Sequence, residues 1–142
     1  MNTDLIRFLE AHERQYITAL SEIKSGKKIS HWMWYIFPQI AGLGFSETSR
    51  FYAIKHIDEA KSYLNHPILG YRLREISSVL LTLNENDANV IFGSPDDVKL
   101  NSCMTLFAFA EASNHNVFKM VLEKFFNGKS DDKTMELIKS QS

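Results

Sequence analysis

Apolar residues recur at helical spacing along almost the whole chain, and this pattern limits the fold more than any other feature. The clearest stripe is formed by Leu69, Leu73, Ile76, Leu80 and Leu83, which fall on one face at 3.6 residues per turn. No two runs of alternating apolar and polar residues are placed so that they would form a convincing hairpin. The chain is therefore expected to fold as helices only.

Residues that cap or stop helices divide this pattern into segments. The expected N-caps are Thr3, Ser46, Ser94 and Ser130, and the expected C-terminal stops are Gly26, Gly93 and Gly128. The connections between the segments are short, roughly two to six residues, as in compact helical proteins. The sequence therefore predicts a single all-α domain over residues 1–142, a bundle of about seven to eight helices, several of them short.

Composition narrows the classes of partner and cofactor. The chain carries 16 basic and 17 acidic side chains, whereas nucleic-acid-binding proteins usually have a basic excess, so no nucleic-acid partner is expected. The apolar runs are too short to cross a membrane, and the N-terminus lacks the pattern of a signal peptide. Cys103 is the single cysteine, which fits a cytoplasmic protein and excludes an internal disulfide. No metal-binding or cofactor-binding motif is present.

The aromatic segment, residues 31–39 (HWMWYIFPQ), contains both tryptophans of the chain. Its apolar run is expected to form a short buried helix that stops before Pro38. Proline lacks a backbone N–H and disfavours a helical conformation at the preceding residue, here Phe37. Met33 and Ile36 are expected in the core together with Phe37.

Four side chains of the aromatic segment are candidates for ligand binding. Trp32 and Trp34 could stack on a flat ring, although aromatic residues more often belong to the core. Gln39 would need several hydrogen bonds if it were buried. His31 could act as a general acid or base or bind a phosphate; the alternative is a histidine packed at a helix start and bonded to the backbone.

A second group of candidates lies at the start of the helix predicted in PDDVKLNS, residues 95–102. Asp96, Lys99 and Ser102 are spaced three apart, so they would be neighbours on one helix face. Near a helix N-terminus, such a set could hold a phosphate or orient a water. Two carboxylates, Asp96 and Asp97, would however repel an anion, and their alternative role is capping and complementing the helix dipole.

Three blocks of the sequence carry a family resemblance: HWMWYIFPQ followed by GLG, then HPILGYRL, then FGSPDDVKLNSCMTLF. In this order they resemble the bacterial family known as domain of unknown function 1810, over roughly residues 13–129. The resemblance implies a compact all-α single domain. It implies no activity, because the family has no established one.

These features lead to one hypothesis and two alternatives. The hypothesis is a pocket for a small polar, nucleotide-like ligand, lined by His31, Trp32, Trp34, Gln39, Gly42, Gly44, Asp96, Asp97, Lys99 and Ser102. If a reaction follows binding, hydrolysis with His31 or Asp96 as the base is the expected type. The first alternative is a protein–protein interaction module anchored by an exposed aromatic segment. The second is that the segment is wholly core and the function lies elsewhere. Enzymatic activity and oligomeric state are left open.

Overall fold

The computed structural model of the protein describes residues 5–113 and 116–141, and all regular elements within these ranges are helical. The predicted all-α fold is confirmed. The nine helices of the described residues are α1 (Ile6–Lys24), α2 (Met33–Ile36), α3 (Glu47–Tyr52), α4 (Ile57–Asn65), α5 (Leu69–Thr82), α6 (Ala88–Phe92), α7 (Asp96–Ala110), α8 (Val117–Phe126) and α9 (Asp132–Ser140). Their number exceeds the predicted seven to eight, and several are short, as predicted; α2 has only four residues. None of these helices is both long and apolar enough to cross a membrane.

Helix α7 lies at the centre of the molecule. It packs against α4, α6, α8 and α9, while α5 packs against α1, α4 and α8. Its buried side chains lie on all sides, and they include Leu100, Cys103, Met104, Leu106 and Phe107. A helix that is apolar all round is stable only where other elements surround it, and this explains its position.

Most of the predicted helix ends are confirmed. Ser46 caps α3 by accepting a hydrogen bond from the backbone N–H of Ser49 (3.1 Å). The glycines that follow α1, α6 and α8 adopt positive φ, which glycine tolerates best; they are Gly26 (81°), Gly93 (73°) and Gly128 (78°). The predicted cap Thr3 lies outside the described residues.

Two predicted caps are wrong. α7 begins at Asp96 without a side-chain cap from Ser94, because the N–H of Asp97 donates instead to the carbonyl of Gly93 (2.9 Å). α9 is capped by Asp131, one residue after the predicted Ser130. The Asp131 carboxylate accepts the backbone N–H of Thr134 (2.9 Å) and also its hydroxyl (2.6 Å), two bonds that favour it as the cap.

A backbone bridge positions the loop that follows the aromatic segment. Ile40 and Ile54 form an isolated parallel bridge. The N–H of Ala41 donates to the carbonyl of Ile54 (2.8 Å), and the N–H of Ile54 donates to the carbonyl of Gln39 (2.8 Å). The bridge closes the chain around α3 and around the glycine loop, which we define as residues 42–45.

Candidate functional site

Glu22, on the last turns of α1, holds the start of the aromatic segment in place. Its Oε1 accepts hydrogen bonds from the backbone N–H groups of Ile29 (2.8 Å) and Ser30 (2.9 Å) and from the indole Nε1–H of Trp32 (2.9 Å). Its Oε2 accepts the Ser30 hydroxyl (2.6 Å). Burial acts to raise the pKa of Glu22, but the bonds from Ser30, Ile29 and Trp32 outweigh it and lower the pKa to about 2.

Sequence reasoning missed Glu22, although one signal was available. An acidic residue near the C-terminal end of a helix opposes the helix dipole. Such a residue is therefore expected to have a compensating partner, and the segment that directly follows α1 supplies it.

The first two candidates of the aromatic segment lie apart from any cavity described here. Trp32 is 0% exposed and packs against Phe37 with ring centroids 6.1 Å apart. With its indole N–H bonded to Glu22, Trp32 is a core residue, as are Met33 and Phe37. His31 is exposed and does not line the cavity beneath residues 42–45. The structure does not bring these two residues to a common pocket.

Four other predicted residues do meet. Trp34, Gln39, Gly42 and Gly44 line one cavity of about 90 Å³ beneath the glycine loop. The remaining lining residues come from the loop and from α3 and its end: Ile40, Ala41, Leu43, Ser49, Arg50, Tyr52 and Ala53. Of the residues predicted to line a pocket, the structure thus places two from the aromatic segment and two from the glycine loop around one cavity.

Gly44 lets α3 and Trp34 approach the loop closely. A Cβ at this position would lie 2.5 Å from the Ser49 hydroxyl oxygen and 3.1 Å from the Trp34 ring. Gly42 has a φ of +107°, and a Cβ there would lie 3.0 Å from the side chain of Leu137. The two glycines therefore set the shape of the cavity, one by close approach and one also by backbone conformation.

Gln39 is the unusual member of the lining. It is only 5% exposed, and its amide nitrogen has no hydrogen-bond partner in the part of the chain that the structure describes. A buried amide that lacks a partner costs free energy, so such groups are rare in native proteins. Two other buried polar atoms there have no partner, Gln15 Oε1 and the Tyr63 hydroxyl, but neither residue lines a cavity described here.

A cluster of charges adjoins Trp34 outside the cavity lining. Asp96 pairs through one oxygen with Lys28 Nζ (2.8 Å) and through the other with Lys99 Nζ (3.2 Å). Lys99 Nζ also lies 4.1 Å from the centroid of the Trp34 ring, a cation–π contact. The structure therefore brings Asp96 and Lys99 next to the aromatic segment, as predicted, and adds Lys28, which the sequence reasoning had not placed at the site.

The structure does not bring Asp97 and Ser102 to this site. Asp97 accepts hydrogen bonds from the Asn89 amide (3.2 Å) and from the backbone N–H of Val98 (2.9 Å). Ser102 is buried, and its hydroxyl donates to the carbonyl of Val98 (3.3 Å) one turn earlier. Ser102 bonds within α7, whereas Asp97 bonds the first turn of α7, its alternative role, and also ties α7 to α6.

His12, a buried residue of α1, is hydrogen-bonded to α2. His12 Nε2 donates to the carbonyl of Tyr35 (2.9 Å), and the His12 ring stacks on Tyr16 with centroids 5.6 Å apart. Burial lowers the pKa of His12 to about 4, and the positive charge of Arg72 acts in the same direction, while the bond to Tyr35 opposes them. His12 is therefore neutral at neutral pH and acts as a structural tie.

Wider depressions exist elsewhere on the surface. One of about 390 Å³ lies between α7 and α8, with Thr105, Phe109 and Lys119 in its lining. Another, of about 730 Å³, is a shallow groove along α4 and α5 that includes His66 and Tyr71. Neither contains a buried polar group that lacks a partner. Within residues 5–113 and 116–141, no three His, Cys, Asp or Glu side chains converge as metal ligands would.

Comparison with known proteins finds one family and one solved structure that match nearly the whole chain. The profile of a family described as protein of unknown function (DUF1810) matches residues 2–138. The crystal structure of the conserved hypothetical protein Rv1873 from Mycobacterium tuberculosis is similar, with 40% sequence identity and a TM-score of 0.94. That match covers 98% of this chain and 99% of the other. No curated protein matches the chain. Neither description names an activity.

Proposed function

Starting from the fact that the chain belongs to the DUF1810 family of proteins of unknown function, we propose that it binds a small polar, nucleotide-like molecule beside Trp34. One end group of the ligand enters the cavity beneath the glycine loop.

Two statements about the protein stay predictions from its sequence. One is a cytoplasmic location, which rests on the single cysteine, Cys103; the other is the absence of a nucleic-acid partner.

The buried amide of Gln39 is the observation that carries this proposal. Its nitrogen lacks a partner, and Gln39 belongs to the lining of a cavity that Trp34 also lines. A few convergent polar groups set in mainly apolar walls are typical of small-molecule sites. A ligand that accepts a hydrogen bond from Gln39 would remove the cost of leaving this group unpaired.

The cavity volume limits how a ligand can enter. Sites that enclose a drug-sized ligand usually measure roughly 300–1,000 Å³, whereas this cavity measures about 90 Å³. Only one functional group fits inside, so the rest of the ligand lies on the outer surface. The partly exposed ring of Trp34 lies there; Lys99, which also pairs with Asp96, covers one face of the ring, so a ligand would stack on the other face.

Hydrolysis has less support than binding. Of the two candidate bases, His31 is exposed and outside the cavity lining. The carboxylate of Asp96 is held by two ammonium groups, one on each oxygen. Neither residue is placed to activate a water at the cavity, so the proposal is confined to binding.

A thermal-shift screen tests the proposal directly. The panel would hold nucleotides, NAD, ADP-ribose and sugar phosphates, with Gln39→Met as the test variant and the exposed Gln141→Met as its matched control. A ligand at about 100 times its Kd adds about 2.7 kcal/mol, which raises the Tm of a domain of this size by roughly 5–10 °C. The shift should persist in Gln141→Met and be lost in Gln39→Met. No shift with any compound would count against the proposal.

The interaction-module alternative needs a different anchor from the one predicted. The aromatic segment is mostly buried, so its role as an exposed anchor is wrong. Two phenylalanines close to the cavity are exposed instead, Phe45 at 81% and Phe51 at 59%. Sedimentation of the wild type and of Phe45→Ser would test this alternative for self-association: a dimer lost in the variant would favour it.

A further inference from the structure

We propose that the exposed side of α3 binds a second copy of this chain. Glu47, Thr48, Arg50 and Phe51 are exposed there and take part in lining one open depression of about 620 Å³. Phe45, two residues before the helix begins, is exposed next to them along the chain. We call these five residues the α3 face. The proposal goes beyond ligand binding and does not depend on it.

Exposed aromatic surface is the first sign of an interface. Phe45 is 81% exposed, more than any other large apolar side chain of the described residues, and Phe51 is 59% exposed. Aromatic residues are enriched at protein–protein interfaces relative to the rest of the surface. Removing their apolar area from water is favourable, so a partner that covers them gains free energy. The α3 face therefore offers apolar groups that association would bury.

Phe51 is held in its outward position by the core. Its ring packs edge-on against Tyr52, with centroids 4.9 Å apart, and Tyr52 in turn packs against the fully buried Phe8 (5.9 Å). The carbonyl of Phe51 accepts a hydrogen bond from Nε of Arg7 in α1 (2.7 Å). A side chain that is already ordered loses little conformational entropy when a partner covers it. Phe51 is therefore suited to be an anchor.

The charges of the α3 face make it complementary to itself. Glu47 and Arg50 lie three residues apart, so they are neighbours on one side of the helix. Neither forms an ion pair within residues 5–113 and 116–141. When two copies of α3 pack antiparallel about a twofold axis, Glu47 of each copy lies opposite the partner's Arg50. A face with only one sign of charge would repel a second copy instead.

The small size of the α3 face predicts a weak dimer. The helix has six residues, whereas a standard interface involves about 20–30 residues on each side. Interfaces at the low end of the size range belong to transient complexes. We therefore expect reversible dimerisation with a Kd between about 10 μM and 1 mM. Sedimentation velocity of the full chain over this concentration range measures it.

A charge-swap experiment tests the pairing of Glu47 with Arg50. Glu47→Arg makes cations face cations across the axis, and Arg50→Glu makes anions face anions, so each variant should dimerise at least about tenfold more weakly than the wild type. The double variant Glu47→Arg/Arg50→Glu exchanges the two signs and should dimerise again. An equimolar mixture of the two single variants should form a heterodimer, because every acidic group then faces a basic one.

Two apolar substitutions test the contribution of the aromatic anchor. Phe51→Ser should weaken the dimer at least about tenfold, because it removes the ring that the second copy covers. Ile17→Ser is the matched control, since Ile17 is also a large apolar residue and is 77% exposed, but on α1. The control should dimerise as the wild type does. Thermal denaturation of each variant shows that it is folded.

Three results would overturn the proposal. A wild type that stays monomeric at about 1 mM would leave the α3 face to a different partner. A dimer that survives both single charge swaps would place the contact elsewhere on the molecule. A dimer weakened equally by Ile17→Ser and Phe51→Ser would show association through apolar surface in general. The proposed ligand is tested separately, by the thermal shift of Gln39→Met, so the two proposals can fail independently.

Discussion

Single residues at the candidate site were partly predictable from sequence. The aromatic composition of residues 31–39 drew attention to Trp34 and Gln39, and the glycines drew attention to the loop. A buried amide needs several hydrogen bonds, and glycine loses conformational entropy on folding, so both residue types usually have a structural or functional reason. Trp32 could not be separated from Trp34 on the same grounds, since both have the same chemistry. What separates them is Glu22, whose carboxylate binds the Trp32 indole and keeps it in the core. That contact depends on how the chain turns after α1.

Gly44→Ala tests whether this loop is shaped by close packing. The added methyl group would lie within 2.6 Å of both the Oγ and the Cβ of Ser49, so the variant should lose about 1–3 kcal/mol of stability. Urea denaturation measures this loss. Ser49→Gly in the same chain should restore much of it, because it removes both atoms. A Gly44→Ala protein as stable as the wild type would show that the loop is looser than the structure indicates.

Glu22→Gln tests the anchor of the aromatic segment. The substitution removes the charge that strengthens four hydrogen bonds, and hydrogen bonds to charged groups contribute about 1.5–3 kcal/mol each. We expect a loss of about 2–3 kcal/mol in urea denaturation and a shift of the Trp32 indole signal in a ¹H–¹⁵N correlation spectrum. Glu13→Gln, on the exposed face of α1, is the control and should change neither.

Helices were predicted more reliably than their first residues. Apolar spacing identifies a helix over many residues, so α5 follows from the sequence with little ambiguity. A cap depends on one side chain and on the local backbone, and two neighbouring candidates can compete. Ser130 and Asp131 are such a pair, and the choice between them depends on contacts with Thr134 and on the bond from the Asp131 N–H to Thr105 in α7 (2.9 Å).

The competing caps of α9 can be distinguished by mutation. Asp131→Ala removes the bonds to the N–H and the hydroxyl of Thr134, and cap removal typically costs about 1 kcal/mol. Ser130→Ala should cost less than about 0.5 kcal/mol, as for a surface position without such a role. Both are measured by thermal or urea denaturation. Similar losses in the two variants would contradict the assignment of the cap.

At the scale of the whole molecule, the fold class was predictable and the location of the cavity was not. The absence of strand patterns and the continuous helical spacing determine an all-α fold, because each helix must bury its apolar stripe against another. The cavity depends on the Ile40–Ile54 bridge and on α3, which together set the position of Arg50. The Ser46 cap of α3 was predicted, but the bridge carries no sequence signal that would place it, and Arg50 was accordingly missed.

The pH dependence of global stability follows from His12. Its folded-state pKa of about 4 lies below its ordinary value of 6.5, so the unfolded chain binds the proton more readily between these values. Stability is therefore fully present above pH 6.5 and is lost as the pH falls towards 4. Between pH 7.5 and pH 5 the expected loss is about 2 kcal/mol. Urea denaturation at both pH values measures it.

Two histidine variants separate this effect from other titrating groups. His12→Gln should remove most of the loss between pH 7.5 and pH 5, whatever its effect on stability at pH 7.5. His31→Gln, at an exposed position, should retain the loss. A pH dependence that survives in His12→Gln would show that another group is responsible.

The Ile40–Ile54 bridge has a consequence for how a protein of this shape can change over evolutionary time. Because both ends of the enclosed stretch are held by backbone hydrogen bonds, their position does not depend on which side chains lie between them. Insertions at the exposed residues 45–48 can therefore be accommodated while the interior of the bundle is inherited unchanged, whereas Gly44 and Ser49, which pack closely, are constrained.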